Sequence, residues 1–265
     1  MTETFSDSYE VPFAAETGWK AMHPDDPDAL PPFQYVVDIL HKRLEDIKTA
    51  CQTSEQPVIY FTTGPTFRFD IAKKKPYKGN RKEESKPWHY KNFTVYLKDV
   101  LNAKEVTGIE ADDQLAIDHT SSTFSTILCS RDKDLRQVPG WQYSWELGRQ
   151  ASFGPELITK EGWLKLSPKR DKIVGTGLAF FYSQVLTGDA TDNIGGLENC
   201  GPVKAYEILN NKTSEQQFES VCSAYKETYS DKWLEEITEQ GKLVWLVRRL
   251  DQNGQPITWE VGMTE

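Results

Sequence analysis

Gly188-Asp189-Ala190-Thr191-Asp192-Asn193-Ile194-Gly195-Gly196-Leu197-Glu198-Asn199-Cys200-Gly201-Pro202-Val203-Lys204-Ala205 is the stretch whose reading decides the fold. Asp189 and Asp192 stand three apart at the end of the apolar helical run 178–186, where one cation can meet both carboxylates. Gly196 and Gly201 then bracket a hairpin that opens a second helix over 202–209, with Pro202 just inside its start. A helix start offers free backbone N–H groups and a partial positive charge, which suit a phosphate. The bland reading is a Gly-rich loop with solvated aspartates.

Two further acid groups lie upstream. Glu110-Ala111-Asp112-Asp113 opens a helix, with Glu110 and Asp113 on one face and Asp112 a step round. One acid suffices for an N-cap; three in one turn point to something more. Asp132 and Asp134 sit in Ser130-Arg131-Asp132-Lys133-Asp134-Leu135, just past a strand read at 125–129, where open α/β sheets form their sites. The seven carboxylates would repel one another unless cations sat among them. Oxygen-only donors select Mg²⁺ or Mn²⁺, and two such ions suit phosphodiester hydrolysis. The histidines (His23, His41, His89, His119) fall outside these motifs, and no Walker-type phosphate loop is present.

The 265 residues carry a net charge of −9, with 27% charged and 38% apolar residues, a globular composition. No apolar run has the length of a membrane span, and no signal peptide is read at the N-terminus. The four cysteines (Cys51, Cys129, Cys200, Cys222) are widely spaced, so a reduced, cytosolic protein without structural zinc is expected. Overall acidity argues against a nucleic-acid partner, but the distribution reverses that. Residues 68–91 hold nine Lys and Arg against Asp70, Glu83 and Glu84, a net of +6, so the remainder carries −15. A basic strip on an acidic protein points to a local anionic partner.

These motifs together resemble the phage 5′→3′ exonuclease and flap endonuclease family, which includes the 5′-nuclease domain of bacterial DNA polymerase I. The matching segments are Gly-Asp-x-x-Asp-Asn-Ile at 188–194, Glu-Ala-Asp-Asp at 110–113, Ser-x-Asp-x-Asp-Leu at 130–135 with Val138-Pro139-Gly140 after it, and Tyr77-Lys78-Gly79-Asn80-Arg81. Asn199 replaces a hairpin glycine of the family, and asparagine tolerates the positive φ such a turn needs. The resemblance implies a PIN-like, Rossmann-like parallel α/β core with a basic arch inserted after an early strand and a helix-hairpin-helix module that binds DNA. It assigns Arg68, Lys78 and Arg81 to the catalytic machinery, gripping the 5′ end or the scissile phosphate. Lys73, Lys74, Lys75, Tyr77, Lys82, Gly196, Asn199, Gly201 and Lys204 are assigned to DNA. Glu110, Asp112, Asp113, Asp132, Asp134, Asp189 and Asp192 would hold two Mg²⁺ or Mn²⁺ ions. Expected substrates are DNA 5′ ends, flaps or nicks, processed by a monomer in the cytoplasm of a phage-infected bacterium. A K⁺ ion at the hairpin and an RNA–DNA hybrid are options the resemblance leaves open.

Two family positions look unfilled. No apolar first strand ending in an Asp ligand is read, Asp7 being the nearest candidate, and Thr62-Thr63-Gly64 stands where a second acid usually follows a strand. Thr62 or Thr63 would then hold only a metal-bound water. This motivates an alternative function, a DNA-binding protein on the same fold with weak or no cleavage; the missing strand is then either encoded upstream or lost. A PIN-type ribonuclease is the third reading.

In chain order, residues 1–32 read as irregular and 33–47 as an amphipathic helix. Residues 58–61 read as a buried strand, 93–101 as a helix, 105–107, 142–145 and 156–158 as strands, and 177–186 as a helix. Beyond 209 come helices at 214–229, with a capping box on Ser214, and at 233–249, with a break near Gly241. The domain reading is an irregular segment 1–32, a nuclease core 33–180 with the arch at 68–91, and a helical module 181–265.

Overall fold

A six-stranded sheet organises the molecule, a computed structural model that describes residues 3–5, 10–26, 28–80, 86–122, 125–148 and 150–263. Across the sheet lie β3 (Lys104–Gly108), β2 (Val58–Thr66), β1 (Glu3–Phe5), β4 (Ile127–Cys129), β5 (Gly140–Ser144) and β6 (Phe153–Ile158). The first five run parallel and β6 closes the edge antiparallel. The chain winds outward from β1 to β3, then returns past β1 to β4. That reversal between β1 and β4 is a topological switch point, and crevices at the carboxyl ends of such strands hold ligands. The expected parallel α/β core is therefore present.

Alternation along β2 sends side chains to opposite faces. Ile59 and Phe61 pack with α1 (Glu10–Met22), α2 (Phe33–Cys51) and α4 (Tyr90–Asp99) through Val11, Leu40, Leu44, Phe93 and Leu97. Tyr60 faces the other way, onto Leu115 and Ala116 of α5 (Ala111–Ser121). A one-turn helix, α3 (Arg68–Ile71), follows β2. Downstream, β7 (Leu164–Leu166) and β8 (Ile173–Gly175) form a small hairpin that leads into α6 (Gly177–Thr187). α6 is buried along nearly its whole length, as its apolar sequence requires. It forms the axis of a second core with α7 (Pro202–Leu209), α8 (Ser214–Tyr229) and α9 (Trp233–Val244). Among the described residues, no helix is long and apolar enough to cross a membrane. The four cysteines are buried thiols, with Cys51 Sγ and Cys129 Sγ 3.7 Å apart.

Several sequence readings need correction. The segment 1–32 is not irregular: β1 lies at the sheet centre, and α1 joins the core cluster that holds Ile59 of β2 and Ile127 of β4. A three-residue Glu-Thr-Phe strand has no apolar run to announce it, and its pairing comes from neighbours on both sides. A first strand is thus present at Glu3–Phe5, while Asp7 lies outside the described residues. α9 passes through Gly241 without a break, because Gly241 is where Trp259 packs onto the helix and a β-carbon would collide with its ring. The capping box of α8 uses Thr213 and Gln216, one residue earlier than read.

Candidate active site

The stretch at 188–205 folds as a closed turn between α6 and α7. Gly188 ends α6 at φ +69°, and a β-carbon there would strike the Ile194 carbonyl. Asp189 and Ile194 exchange both backbone hydrogen bonds (3.0 and 2.8 Å), pinching off residues 190–193. Asn193 and Asn199 take positive φ (62° and 55°), which asparagine tolerates better than most residues. Gly201 caps α7, with Pro202 in the first turn. Asn199, Gly201 and Lys204 are exposed. Gly196 is not available to a phosphate, since it is buried and its N–H donates to Gln240 Oε1 at 2.8 Å. That removes it from the DNA-contact set.

Six of the seven predicted acids line one cleft of about 140 Å³: Glu110, Asp112, Asp132, Asp134, Asp189 and Asp192. They arrive from three directions, past the carboxyl end of β3, past that of β4, and from the turn after α6. The seventh, Asp113, is fully buried beneath it. Its two oxygens receive the Arg68 guanidinium fork at 2.6 and 2.8 Å and also the N–H groups of Val247 (2.9 Å) and Glu110 (3.0 Å). Arg68, 1% exposed, spends its other donors on the carbonyls of Leu243 and Trp245. Burial alone would lower its pKa; Asp113 and Glu110 outweigh that and raise it. Arg68 and Asp113 therefore tie α3 and α5 to the end of α9 and the segment after it; Asp113 stays out of the cleft, and Arg68 forms part of its inner wall, where it reaches Glu110 at 3.4 Å. This corrects the assignment of Asp113. The two charges satisfy each other, and a partner 45 residues away cannot be read from a basic strip.

Residues 76–80 are fastened over the cleft. Lys78 N–H donates to the Asp192 carbonyl (2.9 Å), Asn80 Nδ2 to that of Ala190 (2.6 Å), and Asn193 Nδ2 to that of Pro76 (2.8 Å). Tyr77 is buried, and its hydroxyl lies within hydrogen-bond distance of both Asp192 (2.9 Å) and Glu110 (3.1 Å), with one proton to donate to either. It holds acids together and offers no face to a base, which corrects its assignment to DNA. Lys78 Nζ lies 2.5 Å from Glu110 and 4.0 Å from Asp192. Lys74 is exposed, pairs with Glu236 (2.8 Å) with Glu198 at 3.6 Å, and sits over the Tyr229 ring. The backbone N–H groups of Lys73 and Lys74 converge on Glu239. The side chains of Lys73 and Lys75 remain exposed. Arg81 and Lys82 lie outside the described residues. Thr62 Oγ1 accepts from Ala111 N–H (2.8 Å), and Thr63 Oγ1 contacts the Val106 carbonyl (3.5 Å). Thr62 thus supports the start of α5.

The electrostatics of the cleft are those of too many acids in too little water. Asp132, crowded by protein although one edge stays exposed, is pushed above the usual carboxylate range by desolvation, then by Asp134 and Asp192. Asp134 is raised by burial and by Asp189, against the pull of Lys133. For Glu110, Arg68 and Lys78 overcome burial and lower it; for Asp189, Lys133 and the Thr191 N–H do the same. Among the described residues no three acids already converge on one point. Ammonium groups stand between them in pairs instead, Lys78 between Glu110 and Asp192, and Lys133 between Asp134 and Asp189. Six oxygen-donor acids against two ammonium groups fit hard divalent cations in donor type and charge. Sequence reading missed Lys133 and Gln184. Lys133 was hidden between two aspartates; Gln184, which donates to Asp134 at 2.6 Å, was signalled by being polar inside an apolar helix.

No family model and no curated protein matches the chain. Among solved structures, the bacteriophage T5 D15 flap endonuclease in a pseudo-enzyme–product complex with DNA and metal ions aligns with 92% of this chain and 99% of its own. Its sequence identity is 16% and its TM-score 0.46. The catalytic core of Rad2 in complex with DNA substrate covers 92% of this chain and 72% of its own, at 15% identity and a TM-score of 0.46. Human GEN1 in complex with Holliday junction DNA covers 100% and 64%, at 11% identity and 0.40. The chain is similar to these structures over most of its length.

Proposed function

We propose that the protein is a metal-dependent nuclease that hydrolyses DNA phosphodiester bonds at 5′ ends, flaps or nicks. The observation that carries the reading is the gathering of six carboxylates from three chain segments into one cleft at a sheet's switch point. An acid cluster costs stability through self-repulsion, and a structural role does not require one.

In this reading Glu110, Asp112 and Asp132 hold one Mg²⁺ or Mn²⁺, while Asp134, Asp189 and Asp192 hold the other. Such cations, when bound, make water acidic enough to attack at neutral pH and offset charge on the phosphate. Tyr77 fixes the facing oxygens of Glu110 and Asp192, so the acids keep their aim. Lys78 is half-buried beside them and offers a positive charge to an entering phosphate. Lys73, Lys75, Arg81 and Lys82 draw in the 5′ end, and Asn199, Gly201 and Lys204 hold the duplex backbone as a helix-hairpin-helix. K⁺ at that hairpin and a replicative role in an infected bacterium belong to the same proposal. So does a division into a nuclease core, with its arch, and a helical module from about residue 181. Labelled 5′-flap, nicked and RNA–DNA duplexes incubated with the protein, with and without Mg²⁺, test the reading. Metal-dependent release of short 5′ products supports it, and cutting that persists in a chelator defeats it.

A further inference from the structure

Lys133 occupies an unusual place for a lysine between two aspartates. Its ammonium reaches across from the 3-10 turn Lys133–Gln137 to the turn after α6, 2.8 Å from Asp134 Oδ1 and 2.7 Å from Asp189 Oδ2. It is the cation that joins these two segments of the cleft.

The two acids do not depend on it for their orientation. Asp134 Oδ1 also accepts from Gln184 Nε2 (2.6 Å), on a helix that is buried nearly throughout. Asp189 Oδ1 accepts from Thr191 N–H (2.7 Å), within a turn closed by its own backbone pair. The carboxylates are 24% and 8% exposed, whereas the Lys133 side chain is 55% exposed and has a clear route to water. The acids are thus fixed and the ammonium is exchangeable. We infer that Lys133 is a built-in counter-cation, which offsets the charge of the Asp134–Asp189 pair without metal and competes with a divalent cation for it.

The inference rests on the proposed metal site and makes a claim of its own: Lys133 sets how much metal the site requires. A side chain that merely decorated the surface would leave affinity unchanged, and one that helped hold the ion would lower it on removal. Removing the competitor, which holds two partly exposed ion pairs, should tighten divalent binding by about tenfold.

The test is calorimetric titration of the metal-stripped protein with Mn²⁺, comparing wild type, Lys133→Met, Lys133→Gln and Lys133→Arg, with Asp189→Asn marking the site. Circular dichroism of each variant checks the fold. Lys133→Met and Lys133→Gln should bind about tenfold more tightly and Lys133→Arg close to wild type. In chelator the two neutral variants should melt below wild type and regain the difference with Mn²⁺. Unchanged or weaker Mn²⁺ binding in folded Lys133→Met or Lys133→Gln overturns the inference alone. Wild-type binding that is absent, or indifferent to Asp189→Asn, overturns the metal site and the inference together.

Discussion

Replacing Arg68 by methionine isolates the buried pair under the cleft. The guanidinium is 1% exposed and makes two bonds to Asp113, while Asp113 is wholly buried and takes two backbone N–H groups besides. Arg68→Met keeps much of the side-chain volume but leaves a carboxylate buried without its cation, and strips the carbonyls of Leu243 and Trp245 of a donor. Removing one partner of a buried ion pair costs about 3–5 kcal/mol, far more than an exposed pair. With a urea slope near 3 kcal/mol/M, the unfolding midpoint should fall by roughly 1–2 M. Asp113→Asn should cost less, since Asn keeps part of the hydrogen bonding. The double variant should recover part of the loss, giving a coupling of about 2–3 kcal/mol in a double-mutant cycle. Urea unfolding followed by circular dichroism measures all four proteins. Should Arg68→Met unfold at the wild-type midpoint yet bind DNA poorly, Arg68 would return to the phosphate and this account of it would be wrong.

Three further expectations follow from the structure. His119 is buried, and burial pushes its pKa down from 6.5 to about 4, so the unfolded chain binds the extra proton between those values. Stability should therefore be full above pH 6.5 and fall towards pH 4, by up to roughly 3 kcal/mol; His119→Gln should flatten that slope in melts taken across the range. Gly241→Ala gains about 1 kcal/mol of helix propensity but drives a methyl into the Trp259 ring. Overpacking of this kind costs about 1–3 kcal/mol, so a net loss in thermal melting is expected, and a rise would show that Trp259 yields easily. Lys204→Glu should weaken duplex binding alike for all sequences and lower the salt slope by about one or two; a change in sequence preference would speak against backbone contact.

Much of the architecture was legible because local pattern and tertiary role agreed. α6, α7 and α8 follow from apolar periodicity and capping residues, and the three acid groups stand out by spacing. β1 was illegible, since a short central strand is held by its neighbours' backbones and needs no apolar run of its own. α1 was obscured by Pro12, which the first turn of a helix tolerates. The β7–β8 hairpin has strands of three residues, too short for alternation to show. At the site, motif spacing picked out acids that the fold gathers into one cleft, but burial is a tertiary property. A sequence pattern cannot distinguish Asp113, which closes on Arg68 beneath the cleft, from Asp112, which lines it. The same holds for Tyr77, whose basic surroundings in sequence hide its buried hydroxyl.

The central claim is that the gathered carboxylates perform metal-dependent cleavage. The most direct measurement is single-turnover cutting of a 5′-labelled flap duplex in Mg²⁺ by wild type, Asp132→Asn and Asp189→Asn, with DNA affinity measured in parallel. Wild type should cut in Mg²⁺ and stop in chelator. Each variant should lose about a thousandfold or more in rate, the scale of about 4 kcal/mol, while binding the duplex at least as tightly as before. Cleavage by Asp189→Asn at the wild-type rate, or by wild type in chelator, would contradict the account.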